Sequence, residues 1–275
     1  MISDNHMHTR FSGDSDADPA DMISAARKKG LTGLTFTDHL DWDYAAEPGL
    51  FDLDIPAYLS YMENLQNVIT SDGFSLRIGI ELGLQPHLAK RHAALLSEHS
   101  FDFVIGSIHQ VGGADPYYDE FFEGRSFRAV YDIFLEETLA NITAFSDIDT
   151  LGHLDYICRY GQRVAKTRGE DGTFSYDNHA ALIDEILSFL INHDIALEVN
   201  TGAYRYGYDE PNPSFAILSR YHALGGRLLT LGADAHSPSD VAAAFDLVIP
   251  RLIAVGFSSY FVFEKRNPVE IPFGK

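Results

Sequence analysis

Short apolar segments alternate with amphipathic segments of helical length along most of the chain. Each apolar segment is rich in β-branched or aromatic residues and ends in polar residues, which is typical of buried strands followed by loops. The strand candidates are residues 2–8, 31–39, 75–83, 101–109, 149–155, 195–202 and 227–236, with a possible last strand at 258–264. The alternation predicts a series of βα units.

Helix boundaries are marked by capping residues. A capping side chain followed by proline suits the first turn of a helix, and three such pairs predict helix starts. The pairs are Asp18-Pro19, Asn212-Pro213 and Ser237-Pro238. Gly30 and Gly225 lie where a residue in the left-handed region would end a helix.

Seven or eight βα units in 275 residues predict an α/β fold with a closed parallel barrel, since parallel strands need crossovers and need both faces covered. A doubly wound open sheet is the alternative. Polar residues follow nearly every predicted strand, which favours the barrel because all its strand ends meet at one carboxyl-terminal rim. We expect residues 1–275 to form one domain.

The charge balance limits the partners. The chain has 40 acidic and 20 basic residues and a formal net charge of -20, which makes extended nucleic acid an unfavourable partner. The single cysteine, Cys158, permits no intrachain disulfide, and no apolar run reaches the roughly 18 residues that a membrane span needs. The first residues do not resemble a signal peptide. We therefore expect a cytoplasmic protein with a small-molecule substrate, and leave the oligomeric state open.

Histidines are unevenly placed along the predicted elements. Six lie at or just after predicted strand ends: His6, His8, His39, His109, His153 and His236. The other six lie in helical patterns and are interpreted as surface or packing residues: His87, His92, His99, His179, His193 and His222. Any single histidine of the first group could be a hydrogen-bonded core residue, but a packing role does not explain the whole group.

Several of these histidines form pairs that share one side of a strand. Alternate strand residues point the same way, so each pair can direct two side chains into one cavity. The pairs are His6 with His8, His153 with Asp155, and Asp234 with His236. Glu81 is a carboxylate within an apolar strand, where burial without a partner costs several kcal/mol. Mixed histidine and carboxylate ligands without cysteine suit Zn, Mn or Fe.

These motifs, in this order, resemble those of the polymerase and histidinol phosphatase superfamily. They are HxH at 6–8, TDH at 37–39, the lone Glu81, SIH at 107–109, GHLD at 152–155 and DAH at 234–236. The resemblance implies a distorted seven-stranded (β/α)7 barrel that holds three divalent metal ions. The stretches FSGDS, GSIHQV and LEVNTG make the chain most similar to the histidinol-phosphate phosphatases of that superfamily.

The resemblance also implies a ligand set. The first metal would take His6, His8, Glu81 and Asp234, and Glu81 would bridge to a second metal held by His109 and His153. The third metal would take Asp14, His39 and His236. Asp14 stands where some relatives have a histidine, eight residues after His6, and Asp16 is the competing ligand.

Metal ions about 3.5–4 Å apart can bind phosphate oxygens and hold a bridging hydroxide. The hypothesis is hydrolysis of a phosphate monoester without a phosphoenzyme, with Glu81 and Asp234 as catalytic metal ligands. Asp155 could protonate the leaving alkoxide, although orienting a ligand is the preferred interpretation. Arg159 and Arg205, expected in loops after the fifth and sixth strands, are candidates for binding the phosphate.

Several parts of the chain keep more than one interpretation. Residues 115–124 resemble a lid or pocket wall, or pack plainly on the rim, and Tyr204 and Tyr206 are similarly ambiguous. Glu198 and Asn200 either support ligands or pack inside the barrel. Residues 159–172 are expected to be mainly an exposed basic loop, and the role of the closing segment 266–275 is open.

Three functions remain in competition. The resemblance implies hydrolysis of L-histidinol phosphate to L-histidinol and phosphate in histidine biosynthesis. A phosphoesterase acting on nucleotides, such as nucleoside 3',5'-bisphosphates, is the alternative enzyme. A non-catalytic, metal-stabilised binding module is the third, and the apparently complete ligand set weighs against it.

Overall fold

The computed structural model describes residues 2–69 and 73–274. Within these ranges the strands are β1 (Ser3–Asp4), β2 (Gly33–Phe36), β3 (His39–Leu40), β4 (Ser75–Gly83), β5 (Phe103–Ser107), β6 (Thr150–Leu151), β7 (Ala196–Asn200), β8 (Leu229–Gly232), β9 (Ser259–Glu264) and β10 (Asn267–Pro272). The helices are α1 (Pro19–Lys28), α2 (Ile55–Ile69), α3 (Ala89–Glu98), α4 (Phe127–Ala144), α5 (Ile157–Arg168), α6 (Tyr176–Asn192), α7 (Phe215–Ala223) and α8 (Phe245–Val255).

Seven strands form a parallel sheet in the order β1-β2-β4-β5-β6-β7-β8, and the short β3 pairs with the end of β4. The sheet closes where the chain after β1 meets the chain along and after β8. There the amide of Asn5 donates to the carbonyl of Leu231 at 3.1 Å, and the amide of His8 donates to the carbonyl of Ala235 at 2.8 Å. The predicted (β/α)7 barrel is therefore confirmed, and the open sheet is wrong.

Several strands are shorter than predicted because their polar ends leave the regular ladder. His6 and His8 lie beyond β1, and His153 lies beyond β6. Met7, between the first two, is fully buried and forms an isolated parallel bridge with Ala235. The alternation of directions therefore persists past the end of the strand, with the two histidines facing the barrel axis.

The predicted last strand exists but lies outside the barrel. β9 and β10 form an antiparallel hairpin against the amino-terminal ends of the barrel strands. The hydroxyl of Tyr260 accepts a hydrogen bond from the amide of Ser3 at 2.7 Å, and Arg266 pairs with Asp149 at 2.6 Å. The closing segment thus covers the end of the barrel opposite the histidines.

Only one of the three predicted helix starts is correct. Asp18 caps α1, and its carboxylate accepts from the amide of Ala20 at 2.9 Å. Asn212-Pro213 precedes a helix that begins at Phe215, because the Asn212 side chain donates to Asp155 instead of capping. Ser237-Pro238 begins a series of turns, and α8 starts only at Phe245.

Both predicted helix ends are confirmed by positive φ angles. Gly30 has φ 77°, two residues after α1 ends, and Gly225 has φ 100°, two residues after α7 ends. No helix in the described part of the chain is long and apolar enough to cross a membrane.

Residues 159–172 are mostly helical, which corrects the predicted exposed loop. Helix α5 ends at Arg168 and is closed by Gly169 at φ 68°. The apolar side of the helix, with Ile157 and Val164 buried, is hidden in the sequence by the many charges around it. Arg159 therefore lies in the first turn of a helix, and Arg205 lies in a short 3-10 turn over Gly202–Tyr206.

Candidate active site

Glu81 lies at the centre of the polar cluster at the carboxyl-terminal end of the barrel. Its side chain is fully buried near the end of β4. Its Oε2 atom is 3.0 Å from Nε2 of His6, and its Oε1 atom is 3.0 Å from Nε2 of His153 and 3.3 Å from Nε2 of His109. Ser107 donates its hydroxyl to Oε1 at 2.6 Å. The lone strand glutamate thus connects histidines from three other parts of the barrel.

His8 and Asp234 complete the first predicted ligand group. Nε2 of His8 is 3.1 Å from Nε2 of His6, 3.4 Å from Oε2 of Glu81 and 3.2 Å from Oδ1 of Asp234. All four side chains are buried or nearly so. The structure therefore brings together the four residues that the resemblance assigns to one metal.

The third predicted group lies at the mouth of the same cavity. Oδ2 of Asp14 is 3.0 Å from Nε2 of His236 and 3.6 Å from Nε2 of His39. The rings of His39 and His236 each stack on the ring of His8, at 4.1 and 4.2 Å between centroids. Both acids are exposed, but Asp14 contacts these histidines and lines the cavity, whereas Asp16 is not among the described residues that line it.

The hydrogen-bonding positions of the rings favour a cation in this cluster. Nδ1 of His6 is 2.6 Å from Oε1 of Glu198, so when the ring is neutral its proton lies on Nδ1, and Nε2 directs a lone pair at Glu81 and His8. Nδ1 of His39 lies 3.1 Å from Oε2 of Glu81 without hydrogen-bond geometry, and the buried Nδ1 atom of His153 has no hydrogen-bond partner among the described residues. Imidazole nitrogens and carboxylates that face one another in this way fit divalent metals of intermediate hardness.

The electrostatics of the cluster lead to the same conclusion. Burial lowers the pKa of His6, but the charges of Glu198, Glu81 and Asp234 raise it well above its usual value. Burial raises the pKa of Glu81, and the surrounding histidines outweigh this and hold it well below its usual value. The carboxylates therefore stay ionised in a buried site and attract positive charge.

A second layer of carboxylates, which the sequence reasoning missed or left open, orients the histidines. Glu198 bonds the His6 ring through Oε1 and accepts from the backbone amide of His153 through Oε2 at 2.8 Å. Asn200 donates to Glu198 at 3.2 Å, so both residues support the candidate ligands. Asp41 holds Nδ1 of His109 at 2.7 Å. The signal for Asp41 was its position two residues after His39.

Asp155 is placed away from the reacting centre. One carboxylate oxygen accepts from the Asn212 side chain at 2.6 Å, and the other accepts from the backbone amide of Ser214 at 3.0 Å. Burial raises its pKa to about 6 despite these bonds. Asp155 is not among the described residues that line the cavity. Neither of these partners is a candidate metal ligand, so orientation of a ligand and proton donation to a leaving group both stay predictions for Asp155.

Both candidate phosphate ligands line the cavity, which has a volume of about 490 Å³. The Arg159 guanidinium lies 5.0–5.2 Å from the ring centroids of Tyr156, Tyr160 and Tyr206. Its buried Nε atom has no hydrogen-bond partner among the described residues. Arg205 donates to the carbonyls of Ala233 and Asp234. The guanidinium of Arg159 is therefore more available to a ligand than that of Arg205, which is bonded to two main-chain carbonyls.

The stretch 115–124 forms part of the cavity wall. Asp115, Tyr117 and Tyr118 line the cavity, and the hydroxyl of Tyr44 donates to Asp115 at 2.6 Å. Tyr206 also lines it, whereas the Tyr204 hydroxyl donates to the carbonyl of Asp209. The loop after β3 supplies a second wall that the sequence did not indicate: Tyr44, Glu47, Leu50 and Phe51.

Comparisons with known proteins agree with this geometry. A family model described as the PHP domain matches residues 4–202. The chain is 31% identical over 268 residues to a probable histidinol-phosphatase from Clostridium acetobutylicum, covering 97% of this chain and 98% of that protein. It is 30% identical over 238 residues to a histidinol-phosphatase from Lactococcus lactis, covering 85% of this chain and 83% of that protein.

A crystal structure of the Lactococcus lactis histidinol phosphate phosphatase, complexed with zinc, L-histidinol and phosphate, has a TM-score of 0.85 to this chain. The sequence identity is 25%, and the match covers 97% of this chain and 98% of that chain. The similarity therefore extends over the whole barrel. Because the family model matches more than half of this chain, the chain belongs to the PHP domain family.

Proposed function

We propose that this protein hydrolyses L-histidinol phosphate to L-histidinol and phosphate, a step of histidine biosynthesis. The observation that carries the proposal is the meeting of Glu81 with eight other histidine and carboxylate side chains at the cavity that Arg159 also lines. The relatives named above carry this activity in their names, and the structure from Lactococcus lactis holds both reaction products.

Nine residues would hold three divalent ions, which are Zn, Mn or Fe by their ligand chemistry. One set is His6, His8, Glu81 and Asp234, the second is Glu81, His109 and His153, and the third is Asp14, His39 and His236. Ions bound there would coordinate phosphate oxygens, activate water and neutralise the charge that develops during displacement at phosphorus.

Other residues of the chain bind and orient the substrate. Arg159 donates to phosphate oxygens, and the three tyrosine rings around it keep the guanidinium directed at the cavity. Arg205 holds the backbone of Asp234 and with it the position of that carboxylate. Asp115 receives the ammonium group, and the neighbouring tyrosine rings pack against the imidazole of histidinol.

Direct hydrolysis is proposed, without a covalent intermediate. Cys158 is the single thiol in the chain, and burial raises its pKa, so it is a poor nucleophile. Its sulfur faces the Asn212 side chain at 3.7 Å, and Cys158 is not among the described residues that line the cavity. A location in the cytoplasm and a single domain over residues 1–275 stay predictions.

The test compares three substrates with protein purified without chelator and supplied with Mn or Zn. We expect the kcat/KM for L-histidinol phosphate to exceed those for a nucleoside 3',5'-bisphosphate and an aryl phosphate by orders of magnitude. His6→Ala and Glu81→Ala should abolish turnover. A leading bisphosphate would overturn the substrate assignment and retain the metal site, and no hydrolysis by a metal-loaded protein would overturn the enzyme assignment.

A further inference from the structure

Asp41 lies between two candidate metal ligands but belongs to none of the predicted ligand groups. Its side chain is buried, with the residue only 2% exposed. Oδ1 is 2.7 Å from Nδ1 of His109, and Oδ2, which has no hydrogen-bond partner among the described residues, is 3.5 Å from Nδ1 of His39. One carboxylate therefore faces a histidine of the second group and a histidine of the third.

The bond to Nδ1 determines what the other nitrogen of His109 can do. A carboxylate that accepts from Nδ1 keeps the proton on that atom and leaves a lone pair on Nε2. Nε2 is 3.3 Å from Oε1 of Glu81, on the side where a metal shared with His153 would lie. Asp41 thus selects both the tautomer and the ring orientation that metal ligation requires.

Gly83 makes the space that the Asp41 carboxylate occupies. A β-carbon at position 83 would overlap Oδ1 and Cγ of Asp41 and would lie 3.1 Å from its Cβ, and its three nearest neighbours are all atoms of Asp41. Gly83 lies in β4 and does not have a positive φ, so its backbone tolerates a side chain. The requirement for glycine here comes from the close approach of Asp41.

The chain around Asp41 is held in place by helix α3. The His92 ring stacks on Trp42 with centroids 5.2 Å apart, and the Arg91 guanidinium lies 3.8 Å from the Trp42 ring centroid. Because Trp42, the residue after Asp41, packs against these two side chains of α3, the carboxylate is fixed before any ligand binds.

We propose that Asp41 is a positioning residue that acts through His109: it fixes the His109 ring for the second metal, and Gly83 is present to admit its carboxylate. The inference rests on the proposed function, because that function supplies the metal that His109 would bind. It goes beyond that function by assigning roles to two residues outside the ligand set.

The first test measures metal content and the His109 ring, not only turnover. Wild-type protein and Asp41→Ala are loaded with zinc and dialysed against graded chelator, and bound zinc is counted per chain. We expect the variant to lose one zinc at a chelator concentration roughly 10–100-fold lower than wild type requires. In zinc-loaded wild type the Nδ1–H resonance of His109 should be slow to exchange, and it should vanish in the variant.

The matched control is Asp43→Ala. Asp43 is an exposed carboxylate two residues away that pairs with His87, and it has no contact with the cluster among the described residues. This variant should retain wild-type zinc content and the His109 resonance. Equal zinc retention by Asp41→Ala and Asp43→Ala would overturn the proposal.

A double-mutant cycle tests Gly83. Gly83→Ala should weaken retention of the same zinc in the wild-type background and have little further effect in the Asp41→Ala background, because the displaced carboxylate is then already absent. Additive losses would overturn the role given to Gly83. The zinc count also separates the two hypotheses. If wild type binds zinc and does not hydrolyse L-histidinol phosphate, the proposed function fails, and zinc retention in the variants still tests the role of Asp41.

Discussion

Glu198 bonds the ring of His6 through one carboxylate oxygen, at 2.6 Å, and the backbone amide of His153 through the other, at 2.8 Å. A single buried side chain of β7 thereby fixes the ring of one candidate ligand and the main chain of another. Gly232 on β8 leaves room for this arrangement, since a β-carbon there would lie 2.4 Å from the His6 Cβ and 2.8 Å from Oε1 of Glu198. The first metal group is therefore held from two neighbouring strands.

Replacing Glu198 with glutamine should weaken the first metal group without unfolding the barrel. The amide cannot hold the Nδ1 proton of His6 as a carboxylate does, so metal affinity or kcat should fall roughly 10–100-fold. Zinc retention and kcat measure the effect. The exposed Glu136 of α4 supplies the control, Glu136→Gln, which should behave as wild type. Full zinc affinity and turnover in Glu198→Gln would contradict the orienting role.

Removing metal should abolish activity and lower thermal stability together. The cluster brings buried carboxylates and imidazoles face to face, and bound cations stabilise the folded state in proportion to their affinity. After chelation, turnover of L-histidinol phosphate should cease and the unfolding temperature should fall by several degrees; both should return with Zn or Mn. In Glu81→Ala, added metal should restore neither turnover nor the unfolding temperature. Chelator-resistant turnover would contradict a metal-dependent reaction.

Replacing Arg159 with glutamine should raise KM while metal content stays the same. A hydrogen bond to a charged group contributes about 1.5–3 kcal/mol, so KM should rise roughly 10–150-fold. The comparison is Arg163→Gln, because Arg163 lies one turn further along α5, is exposed and pairs with Asp119 at 2.7 Å. Its KM should stay close to that of wild type. An unchanged KM in Arg159→Gln would remove this residue from the phosphate site.

His92 should make the protein sensitive to acid. Burial lowers its pKa to about 4, and neither ring nitrogen has a hydrogen-bond partner among the described residues. Because the pKa is lower in the folded than in the unfolded chain, its contribution is present above pH 6.5 and is lost as pH falls towards 4. The loss amounts to about 3 kcal/mol when complete.

The measurement is the free energy of unfolding in urea at pH 7, 6 and 5. His92→Phe should lose less stability on acidification than wild type, since the apolar ring has no proton to take up. The control His99→Phe, at a half-buried position just after α3, should keep the acid sensitivity of wild type. Equal pH dependence in wild type and His92→Phe would contradict the shifted pKa.

Much of the barrel and of the candidate ligand set could be predicted from local sequence. The two-residue alternation in HMH and DAH places paired side chains on one side of a strand, and this direction depends only on backbone geometry. The structure brings both pairs into the same buried cluster, although all four residues lie past the ends of their strands and Asp234 has a positive φ of 53°. Asp18 and Gly30 are correct for the same reason, because helix caps depend on neighbouring residues.

Predictions that depended on distant partners failed. Asn212 has the residue type of a helix cap, but its amide bonds Asp155, 57 positions away in the sequence. The basic segment that starts at Arg159 has few apolar residues, and it becomes a helix because Ile157 and Val164 find a core to pack against. Local propensity does not reflect either contact, since each contact exists only after the barrel has closed.

The sequence by itself determined the order of βα units and the residues able to bind metal, because both follow from side-chain type and spacing. Only the tertiary structure decided which carboxylates orient those residues. Glu198 is 192 positions from His6, and Asp41 is 68 positions from His109. Hydrogen bonds of this kind are set by how the strands align around the barrel, and no local pattern in the chain encodes that alignment.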